Sequence, residues 1–524
     1  MVDDVRKRVA VIGGGIAGLA AAVRLRDLTP PGTDIIVYEQ GGVLGGKLRT
    51  GELGGLPVER GAESFLTSAP DGGESAAVAL AKRLDLGSSL VHPAKVPAAL
   101  SIGGHLTPIP AGTLMGVPAD PSSLGGVAHA SGHDVDDGHP LLAEGADIAV
   151  GALVRSRYGA EIVDRLVDPL LGGVYAGRAD GLSLEVTAPQ LADAARVEHT
   201  LGAAVRAAQR ARAATAVRPV FTAVEGGMTR LVAAAATASG ARISLGLPVR
   251  DISRTAHGWR LLLGPVSTPP GPGFSASSTA GSRVPTPQTD DVDAVVLAVP
   301  ARPASRLLSG VSAEVAEAIA VLDYASVALV GLALPPGTPL PDLSGFLVPP
   351  SEGTLVKAAT FFTRKWPHLT AARPAAGRDA AAAGGWGAAS AGGRDAASAG
   401  GRDAASARGW DAGNGPVIVR ASLGRAGEQE RLQFGDDVLL ERARRELGEL
   451  IGGELPPPAA SWIQRWGGGL PQYSPGHRAR VAFARRELPP GLALAGAAFD
   501  GVGIPACIAS GERAAEDVSK ALAA

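Results

Sequence analysis

Arg8-Val-Ala-Val-Ile-Gly-Gly-Gly-Ile-Ala-Gly-Leu-Ala-Ala-Ala-Val-Arg-Leu, residues 8–25, predicts a buried strand, a glycine turn and a helix in succession. Gly13, Gly15 and Gly18 have the G-x-G-x-x-G spacing of dinucleotide-binding turns. Gly13 would allow the tight turn, Gly15 the approach of a pyrophosphate to the backbone, and Gly18 the close packing of helix on strand. The free N–H groups and positive dipole end of the helix would then face the phosphates.

A second apolar stretch supports this interpretation. Asp34-Ile-Ile-Val-Tyr-Glu (34–39) predicts the next parallel strand. It ends at Glu39, about 20 residues beyond the turn, where a carboxylate accepts hydrogen bonds from ribose hydroxyls. Leu-Gly-Gly-Lys (44–47) adds glycines suited to a cofactor lying extended along the backbone. The alternative is an ordinary strand-turn-helix unit with a solvated glutamate and a solvated turn after it.

Composition excludes several classes of protein. The 524 residues permit two or more domains, and a formal net charge of −2 gives no electrostatic basis for binding nucleic acid. The single cysteine, Cys507, excludes an intramolecular disulfide and a Cys-based metal site. His129, His133 and His139 cluster in a Pro-, Gly- and Asp-rich stretch, 118–140, which we interpret as a solvated loop. We therefore expect no protein-bound metal.

The chain shows no secretory or membrane-spanning signal. Its first eight residues run into the predicted strand without an apolar h-region or a cleavage site. No run of about 18 uncharged apolar residues follows. These features predict a cytoplasmic protein, with peripheral contact at a membrane left open.

Later segments predict that the nucleotide-binding domain is discontinuous. Asp293-Ala-Val-Val-Leu-Ala-Val-Pro-Ala (293–301) has the pattern of a buried strand that returns to the first sheet, and residues 242–252 predict a pair of strands. Residues 264–290 predict a loop. Residues 371–415 repeat a Gly-Gly-Arg-Asp-Ala-Ala-Ser-Ala unit. This segment is too poor in large apolar side chains to offset its ordering entropy, so we predict a disordered insertion.

The C-terminal stretch Leu-Ala-Leu-Ala-Gly-Ala-Ala-Phe-Asp-Gly-Val-Gly-Ile-Pro-Ala-Cys (492–507) predicts a strand, a glycine-rich turn and a helix with Pro505 at its first position. The N-terminus of such a helix stabilises a group that becomes anionic, such as the reduced ring of a flavin. The alternative is one more strand-helix unit with a structural role alone.

Taken together, these segments resemble the flavin-dependent porphyrinogen oxidases, within the wider amine-oxidase-like flavoprotein superfamily. The resemblance covers most of the chain apart from 118–140, 264–290 and 371–415. The glycine turn and Leu-Gly-Gly-Lys are shared by the superfamily. The more specific stretches are Leu-Thr-Pro-Ile-Pro-Ala-Gly-Thr-Leu-Met-Gly-Val-Pro (106–118), Asp-Pro-Leu-Leu-Gly-Gly-Val-Tyr-Ala-Gly (168–177), Lys-Trp-Pro-His (365–368), Leu-Pro-Gln-Tyr-Ser-Pro-Gly-His (470–477) and Phe-Asp-Gly-Val-Gly-Ile-Pro-Ala-Cys-Ile (499–508).

The resemblance implies an α/β fold with three parts: a discontinuous Rossmann-like FAD-binding domain, an α+β substrate domain and a helical subdomain. We expect the FAD-binding domain to comprise residues 1–90, 216–305 and 461–524. The helical subdomain, facing the substrate or a membrane, would be 91–215. The substrate domain would be 306–460, including the disordered insertion 371–415. Segments 90–215 and 310–370 would supply a wide apolar pocket.

The resemblance also implies the FAD contacts. They are Gly13, Gly14, Gly15, Ile16, Ala17, Gly18, Glu39, Gln40, Lys47, Gly61, Ala62, Glu63, Ser64, Val249, Trp466, Val502, Gly503 and Ile504. Family members usually carry Gly-Pro-Asp-Ser where this chain has Gly61 to Ser64, so the acid is kept in a longer form. For Trp466 the alternative is core packing. No catalytic side chain is identified, because the cofactor carries the chemistry.

The implied reaction is the oxygen-dependent, six-electron oxidation of a porphyrinogen to a porphyrin in haem biosynthesis, with release of hydrogen peroxide. The lack of an anchoring segment and the composition favour coproporphyrinogen III over protoporphyrinogen IX as substrate. A flavin amine oxidase, a carotenoid desaturase and a non-catalytic flavoprotein of the haem pathway are the alternatives. A ferrochelatase-type partner is left open.

Overall fold

The computed structural model describes residues 6–213, 218–264, 288–370 and 415–523. Its strands, in chain order, are β1 (Arg8–Ile12), β2 (Asp34–Glu39), β3 (Thr50–Leu53), β4 (Leu56–Glu59), β5 (Phe65–Leu66), β6 (Leu90–Val91), β7 (Ala98–Ile102), β8 (His105–Pro108), β9 (Thr113–Leu114), β10 (Val117–Pro118), β11 (Phe221–Val224), β12 (Arg242–Leu245), β13 (Val249–Arg254), β14 (Trp259–Leu263), β15 (Gln288–Val292), β16 (Ala294–Leu297), β17 (Asp323–Leu334), β18 (Gly345–Leu347), β19 (Val356–Phe361), β20 (Val417–Leu423), β21 (Ala460–Gln472) and β22 (Leu492–Leu494).

The α-helices connect these strands. In chain order they are α1 (Ile16–Leu28), α2 (Ala76–Arg83), α3 (Val150–Tyr158), α4 (Ala160–Ile162), α5 (Asp168–Tyr175), α6 (Leu184–Thr187), α7 (Pro189–Ala195), α8 (Leu201–Ala213), α9 (Thr229–Ser239), α10 (Ala301–Leu308), α11 (Ala313–Ala320), α12 (Phe362–Lys365), α13 (Asp436–Ile451), α14 (His477–Arg486), α15 (Ala497–Asp500) and α16 (Ile504–Ala523).

A five-stranded parallel sheet carries the glycine turn. Its strand order is β12-β2-β1-β16-β22, so segments from three distant parts of the chain lie side by side. Helices α1, α9 and α16 bury one face of it, and α10, α11 and α14 contribute to the core on the other. Apolar strands covered on both faces are typical of a parallel sheet. The predicted α/β, Rossmann-like and discontinuous fold is confirmed.

The predicted strand pair at 242–252 is wrong. β12 lies parallel to β2 in the five-stranded sheet, whereas β13 pairs with β14 in a separate antiparallel sheet. The chain changes sheet at Gly246, which has a φ of +67° and is followed by Pro248 two residues on. β15 starts inside the predicted loop 264–290. Residues 265–287 of that loop, and 371–414 of the expected insertion, lie outside the described residues.

A second large sheet has the order β21-β17-β20-β19-β18-β7-β8. Helix α13 packs against one face through Leu439, Ala443 and Leu447. β7 and β8 come from the range expected for the helical subdomain. β21 begins one residue before the range expected for the C-terminal part of the FAD-binding domain and continues into it. All three strands nevertheless pair within this sheet. The sheet to which these strands belong depends on backbone pairing over long sequence separations, which local sequence patterns do not reveal.

Helices α3 to α8 surround a third core, built from residues of about 100–208. Here Val163–Val167 forms a π-helical turn between α4 and α5, so residues 160–175 run as one interrupted helix. Within 118–140, Pro118 ends β10 and the rest is irregular apart from a short 3-10 turn at Pro121–Ser123, in agreement with the predicted loop. Across the described ranges, no helix has the length and apolar character needed to cross a membrane. In the same part of the chain, no group of three or more His, Cys, Asp or Glu side chains is arranged to hold a metal ion.

Candidate active site

The glycine turn between β1 and α1 has the three features that its spacing predicts. Gly13 has a φ of +111°, and its N–H donates to the carbonyl oxygen of Tyr38 at 2.8 Å. A Cβ atom built on Gly18 would lie 2.0 Å from the carbonyl oxygen of Gly13, so the helix packs closely on the turn. A Cβ atom built on Gly15 would meet nothing within 4 Å. The turn is therefore closed on the side of the sheet and open at Gly15.

Glu39 is held by two backbone N–H groups. Gly14 donates to its Oε2 at 2.8 Å and Gly41 donates to its Oε1 at 2.7 Å. Each carboxylate oxygen has a second acceptor site left for a hydroxyl group. The N–H of Leu247 donates to the carbonyl oxygen of Glu39 at 3.1 Å, which brings the chain before Val249 alongside. Gln40 is exposed.

The loop at 44–48 joins the glycine turn to a second turn at 60–64. Gly45 donates its N–H to the carbonyl oxygen of Gly14 at 2.8 Å and pairs in parallel with Gly15. The N–H of Ala62 donates to the carbonyl oxygen of Lys47 at 3.2 Å. A Cβ atom on Gly61 would lie 1.9 Å from that oxygen, so only glycine fits there. Three predicted cofactor segments thus form one continuous backbone surface.

Lys47 connects this surface to the C-terminal helix. Lys47 is half-buried, and burial lowers the pKa of its ammonium group. The charge of the Cys507 thiol on α16 has the opposite, smaller effect on the pKa of Lys47. Burial raises the pKa of Cys507 itself to about 11. Val502 and Gly503 directly precede α16, which begins at Ile504. Pro505 is therefore the second helical residue, one position later than predicted.

Asp500 fixes the turn that leads into α16. Its carboxylate accepts hydrogen bonds from Arg485, at 2.6 Å, and from Ser510, and forms an ion pair with Arg513 at 2.5 Å. Burial alone would raise the pKa of Asp500, but Arg485, Ser510 and Arg513 outweigh burial and lower it. Tyr473 also stabilises this turn, because its hydroxyl donates a hydrogen bond to the carbonyl oxygen of Ala497 at 2.6 Å.

Trp466 lies where β21 meets the turn at 60–64. Its Nε1–H donates to the carbonyl oxygen of Arg60 at 2.8 Å, and its ring comes within 3.4 Å of the Cβ position of Gly61. The same side chain packs with Val327. Trp466 therefore belongs to a core and also borders the predicted cofactor surface.

Glu63 is the centre of an ionic cluster that the sequence interpretation missed. Its buried carboxylate accepts hydrogen bonds from Lys365 and Arg420, and Arg420 also donates to the carbonyl oxygens of Glu59 and Gly61, each at 3.0 Å. Burial alone would raise the pKa of Glu63, but the two cations outweigh burial and lower it. Two signals were available: Lys365 opens the Lys-Trp-Pro-His stretch, and Arg420 interrupts an apolar strand.

Glu59, at the end of β4, has a pKa shifted in the opposite direction from that of Glu63. It is 6% exposed, and its Oε1 accepts hydrogen bonds from the N–H of Met228 at 2.7 Å and the hydroxyl of Thr50 at 3.0 Å. Its Oε2 is buried without a partner among the described residues. Burial raises the pKa of Glu59 to about 7.

Beside the Glu63 cluster, one face of the seven-stranded sheet carries half-buried side chains, and we call this surface the cleft. Paired residues on neighbouring strands point to the same face, and one such row across β18, β19 and β20 is Leu347, Ala358 and Ser422. The next row, which includes Thr360 and Arg420, follows on the same face. These side chains are only half-buried, whereas residues on the opposite face of β19 and β20, such as Ala359 and Ala421, are buried.

The cleft lies between two cores. On the same face, Leu329 of β17 packs into the core around α1, and Leu100 of β7 packs into the helical core. The cleft therefore lies between the nucleotide-binding sheet and the helices. Its lining includes Leu347, Ala358 and Thr360 from the expected range 310–370, but also Arg420 and Ser422 from outside that range.

The comparisons with known proteins agree with this architecture. The model of the family "Flavin containing amine oxidoreductase" matches residues 16–377 and 386–519. A coproporphyrinogen III oxidase of Mycobacterium tuberculosis is 32% identical over 517 residues, with 98% of this chain and 97% of the relative covered. A coproporphyrinogen III oxidase of Bacillus subtilis is 28% identical over 538 residues, with 98% of each covered. A crystal structure of a putative protoporphyrinogen oxidase from Exiguobacterium superposes with a TM-score of 0.72 at 26% identity, covering 98% of this chain and 99% of that one.

Proposed function

This chain belongs to the flavin-containing amine oxidoreductase family and is an FAD-dependent oxidoreductase, and from that premise we propose that it oxidises coproporphyrinogen III to coproporphyrin III with oxygen as electron acceptor. The near full-length match to relatives that carry the name coproporphyrinogen III oxidase supports this substrate. Protoporphyrinogen IX is the second candidate, because the solved neighbour is described as a putative protoporphyrinogen oxidase.

The residues of the glycine turn and its neighbours fit an FAD. The open position at Gly15 suits a pyrophosphate, the carboxylate of Glu39 suits ribose hydroxyls, and the surface from Gly45 to Ala62 suits an extended cofactor. Bound FAD would supply a two-electron acceptor, so that three successive oxidations remove six electrons and oxygen is reduced to hydrogen peroxide.

The observation that carries the proposal is the cleft beside the Glu63 cluster. Arg420 belongs to the cleft and also hydrogen-bonds to the turn at 60–64, so substrate lying on the sheet would be next to the cofactor segments. The side chains of Leu347, Ala358 and Thr360 leave a largely apolar surface suited to a macrocycle. The two flanking cores would exclude water from it.

In this proposal, the side chains and backbone groups of the protein bind and orient the cofactor and the substrate. Lys365 and Arg420 keep Glu63 ionised at the turn, and the first N–H groups of α16 together with the dipole of this 20-residue helix favour negative charge at its N-terminus. Tyr473 and Asp500 hold that N-terminus in place. These groups therefore stabilise charge and position the reactants, and the proposal requires no nucleophilic side chain.

The test is turnover by the purified, FAD-loaded protein. We expect three molecules of oxygen consumed and three of hydrogen peroxide formed for each porphyrin, with kcat/KM for coproporphyrinogen III at least tenfold above that for protoporphyrinogen IX. A preference for protoporphyrinogen would overturn the substrate. Hydrogen peroxide from an amine or desaturation of a carotenoid, without porphyrinogen oxidation, would replace the reaction with another one of the superfamily. Tight porphyrin binding with very slow reoxidation by air would identify a non-catalytic flavoprotein.

A further inference from the structure

We propose that Lys357 and Arg425 form a subsite for one carboxylate group of the substrate, at the end of the cleft away from the Glu63 cluster. The proposal rests on the proposed function and deepens it, because it assigns cations to a propionate side chain of the tetrapyrrole. It is carried by an unpaired buried cation, by the cavity that this cation faces, and by the continuity of that cavity with the cleft.

Among the described residues, Lys357 is a buried cation with no carboxylate at ion-pairing distance. The residue is 5% exposed, and its Nζ makes one long contact, 3.4 Å to the carbonyl oxygen of Gly172. In the described part of the chain, no carboxylate lies within 4.0 Å of it. The nearby Glu428 is within 3.8 Å of Arg425 and 3.2 Å of Arg431 instead. An uncompensated buried ammonium is strongly unfavourable, so the site is suited to an anion from outside.

Burial and the like charge of Arg425 lower the pKa of Lys357 to about 7. A bound carboxylate would favour the charged form and raise that pKa again. Arg425 is 4% exposed and is rigidly placed, since it donates to the carbonyl oxygens of Val348 at 2.9 Å and Thr354 at 3.1 Å. Glu428 acts on both cations from a distance, but it forms ion pairs with Arg425 and Arg431 and, among the described residues, none with Lys357.

A cavity opens in front of these cations. Together with its open side it has a volume of about 220 Å³, and its lining includes Asp168, Gly172, Val348, Pro350, Lys357 and Arg425. The carboxylate of Asp168 is already engaged, by the N–H of Ala179 at 2.5 Å and by Arg178 at 3.1 Å. With Arg431 and Glu428 included, four cations face two carboxylates that are already engaged, and the remaining positive charge favours an anion.

The cavity continues the cleft. The two meet at α5: Gly172 lines the cavity, and the Cβ position of the next residue, Gly173, lies 3.0 Å from the side chain of Leu347 in the cleft. Arg420, which contacts the cofactor turn, and Arg425 are five residues apart, or at most about 17 Å along an extended strand. A macrocycle with its reacting carbon near the turn would direct a remote propionate toward Lys357.

The test replaces Lys357 by methionine, which is similar in length and without charge, in the FAD-loaded protein. We expect K357M to raise the KM for coproporphyrinogen III and the Kd for coproporphyrin III, measured by fluorescence quenching, at least tenfold with kcat within twofold. Protoporphyrinogen IX, with fewer carboxylates, should lose less affinity. Lys520→Met, on the exposed face of α16, is the control and should change neither value.

The outcomes separate the two proposals. If the wild type oxidises coproporphyrinogen III and K357M keeps both KM and Kd, the subsite is wrong and the function stands. If acetate raises the melting temperature of the wild type but not of K357M, while the Kd for coproporphyrin III is unchanged, the cations bind a free anion and the propionate assignment is overturned. If the wild type neither oxidises nor binds a porphyrin, the function itself fails. Should K357M not fold, Lys357→Gln takes its place with the same expectations.

Discussion

Gly511 of the last helix lies against the carbonyl oxygen of Ala17 in the first helix: a Cβ atom built on Gly511 would be 2.0 Å from that oxygen. The two helices therefore pack with their backbones nearly in contact. This contact brings the N-terminal turn and the N-terminus of α16 to the same side of the parallel sheet. Both ends of the chain thereby meet at the proposed FAD site.

We expect Gly511→Ala to separate these helices. Because the new methyl group meets backbone rather than a movable side chain, the free energy of unfolding should fall by about 1–3 kcal/mol. Affinity for FAD should fall with it. Denaturant unfolding with and without FAD measures both effects. Gly310→Ala, whose Cβ would meet nothing within 4 Å, is the matched control and should behave as wild type.

Gly15 and Gly18 should respond differently to the same substitution. Gly15 has an extended backbone, with φ −74° and ψ 174°, and open space at its Cβ position, so Gly15→Ala should leave the stability of the cofactor-free protein within about 0.5 kcal/mol of wild type. Its Kd for FAD should rise about tenfold or more, which corresponds to about 1.4 kcal/mol. Gly18→Ala should instead destabilise the cofactor-free protein. Equal losses of stability in both variants would contradict the assignment of Gly15 to the cofactor.

Glu63→Gln should leave Lys365 and Arg420 without their acid. Breaking a buried ionic cluster in this way costs about 3 kcal/mol of unfolding free energy at pH 7. Since the pKa of Glu63 is lowered in the folded protein, its contribution is present above the unfolded pKa of about 4.3 and is lost as the pH falls through the folded value. The stability difference between wild type and variant should therefore shrink in acid. A difference that is constant from pH 3 to pH 8 would show that Glu63 is not ionised in the cluster. Glu441→Gln, in an exposed pair with Arg444, is the control.

Glu59→Gln tests a raised pKa. In the folded protein the pKa of Glu59 is about 7, so the stability that its protonated form contributes is present below about 4.3 and is lost as the pH rises through 7. The variant lacks this titration. Between pH 5 and pH 8, its free energy of unfolding should therefore rise relative to that of wild type by on the order of 2 kcal/mol. Parallel stability curves for the two proteins across that range would rule out the raised pKa.

Two strands of the nucleotide-binding sheet and the turn after the first of them followed directly from local patterns. The spacing of Gly13, Gly15 and Gly18 and the apolar runs at 8–12 and 34–39 depend on neighbours within a few residues, and the structure places a turn and two parallel strands there. By contrast, β12 and β13 entered different sheets, because the local pattern of a strand does not specify its partner.

The sequence by itself determined where strands, turns and the cofactor motif lie, because those depend on side chains and backbone conformations close together along the chain. Only the tertiary structure decided which charges meet. Glu63 and Lys365 are 302 residues apart, and Glu63 and Arg420 are 357 apart. The packing of α5 on β19 places Lys357 against the carbonyl oxygen of Gly172, with no ion-pair partner among the described residues. Ionic partners are chosen by long-range folding and by burial, which no local spacing encodes.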